Sequence, residues 1–325
     1  MTSTAARNKA NPLAGRSETG LGFVGAAIAV TAWGSSGVIV KWISMGALAI
    51  IVYRFAFYSI LVGGLRALQG QPLTWYAFRR SILGGLLLAA DVAFFFTAVK
   101  VTSVVNATII GSLQPLLLTA YGVRFLGERV ERRDVLLGGL ALAGAIVIVA
   151  AGGSAEESNI WGDLAALGAL TAWSSYFVVA KKVNAEIAPT DFTISAAIIV
   201  ALANVPLALI FGQSLAWPST SDALWVLLMA IGAGVLGHNL MNWSLPRIPL
   251  WLGSTFTLFV PVVSSTLAWV FLDEALNAWQ IFAMAVTVGA LGLLVLFQTQ
   301  TEDTVDEDIA EEDTADGAAA GGVAP

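Results

Sequence analysis

One stretch of this chain occurs twice. It reads Pro115-Leu-Leu-Leu-Thr-Ala-Tyr-Gly-Val-Arg-Phe-Leu-Gly-Glu128, and it returns at Pro261 to Glu274 with Pro, Phe, Leu and Glu at an offset of 146 residues. At an offset of 140, residues 22–41 match residues 162–181 with nine identities in 20. Self-similarity at two places in register predicts that the chain is a duplicated structural unit.

The composition predicts an all-α membrane protein. The 325 residues are 57% hydrophobic and only 12% charged, whereas a soluble domain has about 25% charged residues. The mean hydropathy is +0.80. A spanning helix needs ~20 apolar residues, and ten segments meet that need: 21–40, 46–66, 81–99, 103–124, 134–152, 162–180, 190–211, 223–245, 250–272 and 278–297.

The repeat divides these ten transmembrane helices into two five-helix units. We expect a cytoplasmic N-terminal tail at 1–20, a first repeat at 21–152 and a second at 162–297. The remaining residues, 298–325, hold nine of the 22 acidic residues and have no apolar periodicity. They are therefore expected to form a disordered acidic cytoplasmic tail. The first apolar run is longer than a signal-peptide core and is interpreted as a retained span.

The basic residues predict the orientation. If the N-terminal tail is cytoplasmic, 13 of the 16 Lys and Arg residues fall on the cytoplasmic side and two on the outer side. This split follows the positive-inside rule and places both termini in the cytoplasm. Because each unit has five spans, the second must enter the membrane from the opposite side. Inverted repeats of this kind are typical of secondary transporters, whose substrate sites lie near mid-membrane between the repeats.

These motifs resemble those of the drug/metabolite transporter superfamily, of the EamA type with ten spans. The likeness rests on the Ala-Trp pairs ending at Trp33 and Trp173, on Arg54-Phe in the second span, and on the two Pro…Phe-Leu-x-Glu stretches. It covers roughly residues 20–298. The resemblance implies a plasma (inner) membrane protein that exports or exchanges a small metabolite by alternating access. Export of an amino acid or a related compound is the leading function that the resemblance implies. Exchange or efflux of drugs, nucleotide precursors or sugar phosphates by the same fold is the alternative.

Two charged residues lie deep in predicted spans, Arg54 and Asp91. A charge at the bilayer centre costs about 2.5–3.5 kcal/mol on insertion scales, so each should face the bundle interior. One interpretation is a structural ion pair between them. The other is functional: Arg54 attracts an anionic group of the substrate, and Asp91 binds a proton or a substrate amine.

The remaining candidate substrate-binding residues are polar or aromatic. Trp33, Trp173 and Tyr176 lie near mid-helix and can form either an aromatic wall or ordinary packing. Gln114 directly precedes Pro115, where a kink frees a backbone carbonyl. His238 and Asn242 are four residues apart and share a helix face. The single histidine is either a hydrogen-bonded core residue or a group that titrates near neutral pH.

Glycines and helix ends give two structural expectations. Gly84–Gly85, Gly138–Gly139 and the glycines at 232, 234 and 237 are expected to let helices approach closely. Glu128 and Glu274 are expected to anchor the turn into the following helix.

Missing motifs narrow the function classes. The sequence has no cysteine, no Gly-x-x-x-x-Gly-Lys phosphate loop and one histidine, so it predicts no metal site, no cofactor and no ATP-driven step. Its basic residues are dispersed, which argues against nucleic-acid binding. The expected partners are a small-molecule substrate, the lipid bilayer and a coupling proton or counter-solute, in a monomer or homodimer. A membrane-embedded lipid enzyme and a non-transporting membrane subunit are the rival classes.

Overall fold

A computed structural model describes residues 12–102, 104–152 and 159–298. Within these ranges all regular structure is helical. The helices are α1 Pro12–Lys41, α2 Ala47–Leu68, α3 Trp75–Val101, α4 Val104–Gly111, α5 Gln114–Tyr121, α6 Arg132–Gly152, α7 Ile160–Val183, α8 Pro189–Ile210, α9 Thr220–Met229, α10 Leu240–Ser244, α11 Leu250–Thr255, α12 Val260–Leu272 and α13 Ala278–Gln298. The predicted acidic tail lies outside the described residues except for Gln298.

Nine helical stretches in the described part of the chain are long and apolar enough to cross a membrane. They are Glu18–Lys41, Ala47–Leu68, Ala107–Leu126, Arg132–Gly152, Ile160–Val183, Pro189–Ile210, Thr220–Ser244, Leu250–Leu272 and Ala278–Gln298. The remaining predicted span, 81–99, lies within α3, which has 27 residues and carries Arg79, Arg80 and Asp91. The first helix begins at Pro12, nine residues before the predicted span, because a proline with its fixed φ fits the first turn of a helix.

The two spans that carry the repeated proline, Pro115 and Pro261, are interrupted at equivalent positions. A proline cannot donate to the carbonyl four residues earlier, so the helix ends and restarts with the proline in its new first turn. Pro115 is the second residue of α5, after α4 has ended at Gly111. Pro261 is the second residue of α12, after the 3-10 segment Phe256–Phe259. The kinks predicted from the prolines are therefore present as breaks between helices.

The two spans also end alike. Gly127 and Asp273, 146 residues apart, both adopt the left-handed conformation, with φ of 68° and 57°. Glycine takes this conformation freely, and a short Asp side chain tolerates it. The next amide in each copy, from Glu128 or Glu274, donates to the carbonyl six residues earlier, at 3.1 and 3.3 Å. The same bond in both copies closes the helix end around its left-handed residue.

The two halves of the chain interleave. Here the N-terminal half means residues 12–152 and the C-terminal half residues 159–298. Helix α3 packs on α7 and α8, α2 packs on α8, and α1 packs on α12 and on the π-helical segment Ala230–Asn239. The core is therefore made where helices of one half meet helices of the other.

Seven glycines were predicted to let helices approach closely, and only four of them lie where two helices meet. A Cβ added at Gly85 would lie 2.6 Å from the Ile199 side chain, and one at Gly84 would lie 2.6 Å from Phe192. Gly234 and Gly237 are equally tight. The prediction is wrong for the other three, 138, 139 and 232, because no described atom lies within 4 Å of an added Cβ there. These glycines face away from the described helix contacts.

Each half caps a helix of the other. The Gln213 side-chain oxygen accepts hydrogen bonds from the amides of Leu48 (2.9 Å) and Ala49 (3.2 Å), in the first turn of α2. The Glu128 carboxylate accepts from the amides of Leu250 (2.7 Å) and Trp251 (3.3 Å), in the first turn of α11. These acceptors satisfy amides that have no partner within their own helix.

Glu128 also forms an ion pair with Lys181, 3.5 Å away, and Lys181 Nζ donates to the carbonyl of Leu245 at 3.1 Å. The expectation that Glu128 holds the turn into the following helix is therefore wrong: its carboxylate holds α11, because the bend at Gly127 turns it toward the other half. Glu274 is exposed, and its side chain makes no hydrogen bond or ion pair within the described residues.

The connections on one side of the bundle carry most of the Arg and Lys residues, and we call this side the basic face. It comprises the links between α2 and α3, α5 and α6, α7 and α8, and α10 and α11. Besides Glu128–Lys181 and a pair between Arg247 and Glu18 at 4.0 Å, two more ion pairs cross between the halves there. Arg66 lies 2.8 Å from Asp191, and Arg80 pairs with Glu186.

Candidate functional site

A cavity of about 340 Å³ lies between the two halves. Helices α1 to α5 form its walls from the N-terminal half. The C-terminal half contributes α7, the π-helical segment, the 3-10 segment and the start of α12. Its described lining residues are Trp33, Arg54, Phe55, Leu88, Asp91, Val92, Phe95, Ala107, Thr108, Gly111, Ser112, Gln114, Ala166, Ala169, Leu170, Trp173, His238, Thr257, Leu258, Val260 and Pro261.

The structure brings six of the eight predicted substrate-binding residues to this cavity. They are Trp33, Arg54, Asp91, Gln114, Trp173 and His238. Tyr176 and Asn242 do not line it. Both are buried behind the wall, where Asn242 Nδ2 donates to the Tyr176 hydroxyl at 2.9 Å and to Thr193 Oγ1 at 2.9 Å. Their polar atoms bond to each other rather than facing the cavity.

Aromatic rings from three helices form one wall. The Trp33 and Trp173 rings meet edge to face, with centroids 5.5 Å apart. The His238 ring lies 5.2 Å from Trp33, and Tyr176 stacks on the far side of Trp173 at 5.4 Å and 6°. Such geometries add to the stability of aromatic pairs beyond the area they bury. The wall is therefore a connected cluster whose rings hold one another in place.

Arg54 bonds to His238. Its Nη2 lies 3.1 Å from His238 Nε2, and its guanidinium carbon lies 4.7 Å from the centroid of the Phe55 ring. A guanidinium can only donate hydrogen bonds. His238 Nε2 must therefore accept, which places the proton of the neutral ring on Nδ1. His238 Nδ1 and Arg54 Nε are both buried without a hydrogen-bond partner.

Asp91 is the acid of the cavity. Its side chain is half-buried, and within the described residues it makes no hydrogen bond and no ion pair. The ion pair with Arg54 considered from the sequence is absent there, because Arg54 is turned toward His238. A carboxylate in an apolar bundle needs compensation from a proton, a cation or water, so Asp91 is available to a positively charged group in the cavity.

Sequence analysis did not name Phe55, Phe95 or Thr257 as candidate site residues, although all three line the cavity. The two phenylalanines could not be found from the sequence, because a phenylalanine in an apolar span does not differ in polarity from the residues around it. Thr257, however, lies 146 residues after Gly111, and both positions carry the carbonyl that loses its donor to a proline four residues later. Aligning the repeat around the prolines could have found it. Thr257 Oγ1 donates to Gln114 Oε1 at 3.3 Å, which links the two broken spans.

Comparison with known proteins decides the family. The model of the EamA-like transporter family matches residues 20–150 and again residues 160–296. The chain belongs to the EamA-like transporter family. It is therefore a membrane transporter and not an enzyme, and its substrate is a small molecule.

Two curated relatives have names that state a substrate. An aromatic amino acid exporter, YddG, of Ancylobacter novellus is 27% identical over 211 residues, covering 62% of this chain and 71% of the relative. A probable amino-acid metabolite efflux pump of Salmonella typhimurium is 25% identical over 284 residues, covering 82% and 92%. A solved crystal structure with 22% identity matches with a TM-score of 0.72 over 86% of this chain and 98% of that one, which supports the fold.

Proposed function

We propose that the protein is a ten-span secondary transporter of the plasma (inner) membrane, built from two inverted five-helix repeats at 21–152 and 162–297, with both termini cytoplasmic. Helix α3 supplies the tenth span: its 27 residues measure ~40 Å at 1.5 Å per residue. The shared breaks at Pro115 and Pro261 and the shared left-handed caps support the duplication. The basic face supports the orientation.

The substrate that best fits the cavity is an amino acid or a related compound with an apolar or aromatic side chain. The observation that carries this proposal is the combination of one guanidinium, one unpaired carboxylate and an aromatic wall in a single cavity. Asp91 would bind the ammonium group, Arg54 the carboxylate and the Trp33–Trp173 wall the side chain. The names of the two relatives point to the same class of compound.

The chemistry of the cavity favours this substrate over a sugar phosphate or a nucleotide. A phosphate group is usually held by several cationic or N–H donors, whereas Arg54 is the only Arg or Lys among the described lining residues and Asp91 would repel the phosphate. The volume of about 340 Å³ is also at the low end of the ~300–1,000 Å³ typical of ligand pockets.

Transport would run by alternating access, with a proton as counter-ion. Asp91 can bind either a proton or the substrate ammonium group, and this competition would couple the two in opposite directions. His238 is less suited to this task because its Nε2 already accepts from Arg54. Export would follow where the proton gradient points inward.

The test is counterflow in proteoliposomes. Purified protein is reconstituted in vesicles loaded with unlabelled phenylalanine, and uptake of labelled phenylalanine is measured against empty vesicles. We expect uptake to be inhibited by other apolar amino acids, and inhibited far less by phenethylamine, which lacks the carboxylate, and by phenylpropionate, which lacks the amine.

Asp91→Asn is expected to abolish the response to an imposed pH gradient. Glu274→Gln, an exposed acid outside the cavity, is the control and should behave like the wild type. The substrate assignment is wrong if none of the twenty amino acids exchanges while another solute does. It is also wrong if phenethylamine and phenylpropionate inhibit the uptake as strongly as unlabelled phenylalanine does.

A further inference from the structure

A second, larger cavity lies on the surface at the basic face, where α3 begins and α7 ends. Its volume is about 740 Å³, and the described residues that line it are Trp75, Tyr76, Arg79, Arg80, Leu83, Val179, Lys182, Val183 and Glu186. It shares none of these residues with the central cavity. The proposed transport mechanism therefore does not account for it.

The lining of this cavity has an excess of positive charge. Three of its side chains are basic, and Glu186 is the single acid among the described lining residues, so the balance is two positive charges. Glu186 pairs with Arg80. Lys182 Nζ donates to the Tyr121 hydroxyl at 2.9 Å. Arg79 is exposed and makes no hydrogen bond or ion pair within the described residues.

Aromatic side chains place this cavity at the level of lipid headgroups. Trp75 and Tyr76 are 69% and 61% exposed in the first turn of α3. In membrane proteins Trp and Tyr collect at the boundary between the hydrocarbon and water, where an apolar ring and a polar edge are both accommodated. Arg79 and Arg80 follow Trp75 by four and five residues, about one turn of α3, and Lys182 lines the same cavity.

An apolar groove continues from this cavity along the helices. A neighbouring cavity of about 410 Å³ shares Leu83 and Val179 with it. Its other described lining residues come from α3, α5 and α7 and are mostly apolar: Leu87, Leu117, Leu118, Tyr121, Thr171, Ser174, Ser175 and Val178. From Val179 back to Thr171 the α7 helix rises ~12 Å, which is the direction of an acyl chain entering the bilayer.

From these contacts we propose that the protein binds one anionic glycerophospholipid at this position. Its phosphate lies among Arg79, Arg80 and Lys182, and one acyl chain lies in the groove between α3, α5 and α7. Basic pockets between spanning helices are known to hold acidic lipid headgroups, and a guanidinium suits a phosphate because its donors form a planar fork. Because α3 and α5 come from one half and α7 from the other, the lipid bridges the two halves.

The experiment compares thermal unfolding of the purified full-length protein in nanodiscs of phosphatidylcholine with and without phosphatidylglycerol. Binding to the folded protein stabilises it, so phosphatidylglycerol is expected to raise the Tm by about 2–5 °C. The double variant Arg79→Gln/Lys182→Gln is expected to lose this rise, which is measured against the variant's own Tm in phosphatidylcholine alone because Lys182→Gln also removes the bond to Tyr121. The control is Arg129→Gln/Arg132→Gln, which removes the same charge from two exposed positions outside the cavity and should keep the full rise.

Two further measurements keep the result decisive. Native mass spectrometry of the single variant Arg79→Gln, which breaks no described contact, is expected to show at least a threefold loss of bound phosphatidylglycerol. Glycerol phosphate, which has the charge without the chains, is expected to leave the Tm unchanged. The proposal is overturned if phosphatidylglycerol does not raise the wild-type Tm, or if both double variants lose the rise equally, which would indicate general surface electrostatics. A rise produced by glycerol phosphate would overturn it as well, since that would indicate a soluble anion site.

Discussion

Replacing Glu128 with alanine should be among the most destabilising single changes at the basic face. The carboxylate accepts from the amides of Leu250 and Trp251 and pairs with Lys181. Its side chain is only 11% exposed and that of Lys181 only 21%, so solvent cannot easily replace the lost partner.

The magnitude follows from these contacts. Loss of a helix-capping acceptor costs about 0.5–2 kcal/mol, and hydrogen bonds to a charged group contribute about 1.5–3 kcal/mol. Because the two amides share one carboxylate, the terms overlap, and we expect a loss of about 2–4 kcal/mol for Glu128→Ala. Glu128→Gln keeps an oxygen acceptor and loses the charge, so about half of that loss is expected. For a chain of this size 1 kcal/mol corresponds to roughly 2 °C in Tm, which gives falls of ~4–8 °C and ~2–4 °C.

The assay is thermal unfolding in detergent, followed by intrinsic tryptophan fluorescence. The matched control is Glu274→Ala at the equivalent position of the second repeat, where the side chain is exposed and makes no described contact. Its Tm should stay within about 1 °C of the wild type, as for most surface substitutions. Equal falls in the two variants would refute the assignment of the cap, and so would no fall in Glu128→Ala.

Three further predictions concern other contacts. Gly237→Ala places a Cβ 2.5 Å from the Trp33 indole nitrogen. We expect this variant to lower the counterflow rate at least tenfold and to shift the tryptophan fluorescence emission. The control is Gly232→Ala on the same segment, where no described atom lies within 4 Å of the added Cβ, and it should change neither measurement. Asp222→Ala removes the acceptor of Ser44 N (2.9 Å) and Ser44 Oγ (2.7 Å) and should cost about 1–3 kcal/mol in thermal unfolding; an unchanged Tm would contradict this. Asn242→Leu leaves buried hydroxyl groups without their amide partner and should cost about 1–3 kcal/mol, with the substrate KM unchanged because the residue lies behind the cavity wall.

The sequence predicted the helical membrane fold because long apolar segments admit few alternatives: backbone groups in lipid must be satisfied within the helix. The repeated prolines also predicted where two spans break, since each removes a backbone N–H donor from its helix. Pro206, by contrast, lies inside α8 without ending it, so a proline alone does not fix a break. Arg54 and Asp91 were expected in the interior for a similar reason, as a charge facing lipid is costly.

Pairings between helices could not be predicted. Whether Arg54 meets Asp91 or His238 depends on the rotation of three helices about their axes, and no periodicity in a uniformly apolar segment fixes that rotation. The same holds for Tyr176 and Asn242, which have the polarity of cavity residues and yet bond to each other. Glu128 and Glu274 end the same motif, yet within the described residues only the Glu128 side chain has partners, because only the first copy meets a helix start of the other half.

The reciprocal caps at Gln213 and Glu128 have a consequence for biosynthesis. When the first five helices leave the ribosome, the amides at the start of α2 still lack the acceptor that Gln213 supplies 164 to 165 positions later. That helix start can reach its final geometry only after the α8–α9 link has been made. Gene fragments encoding the two halves should therefore yield little active protein when produced singly, and should recover activity when produced together in one cell.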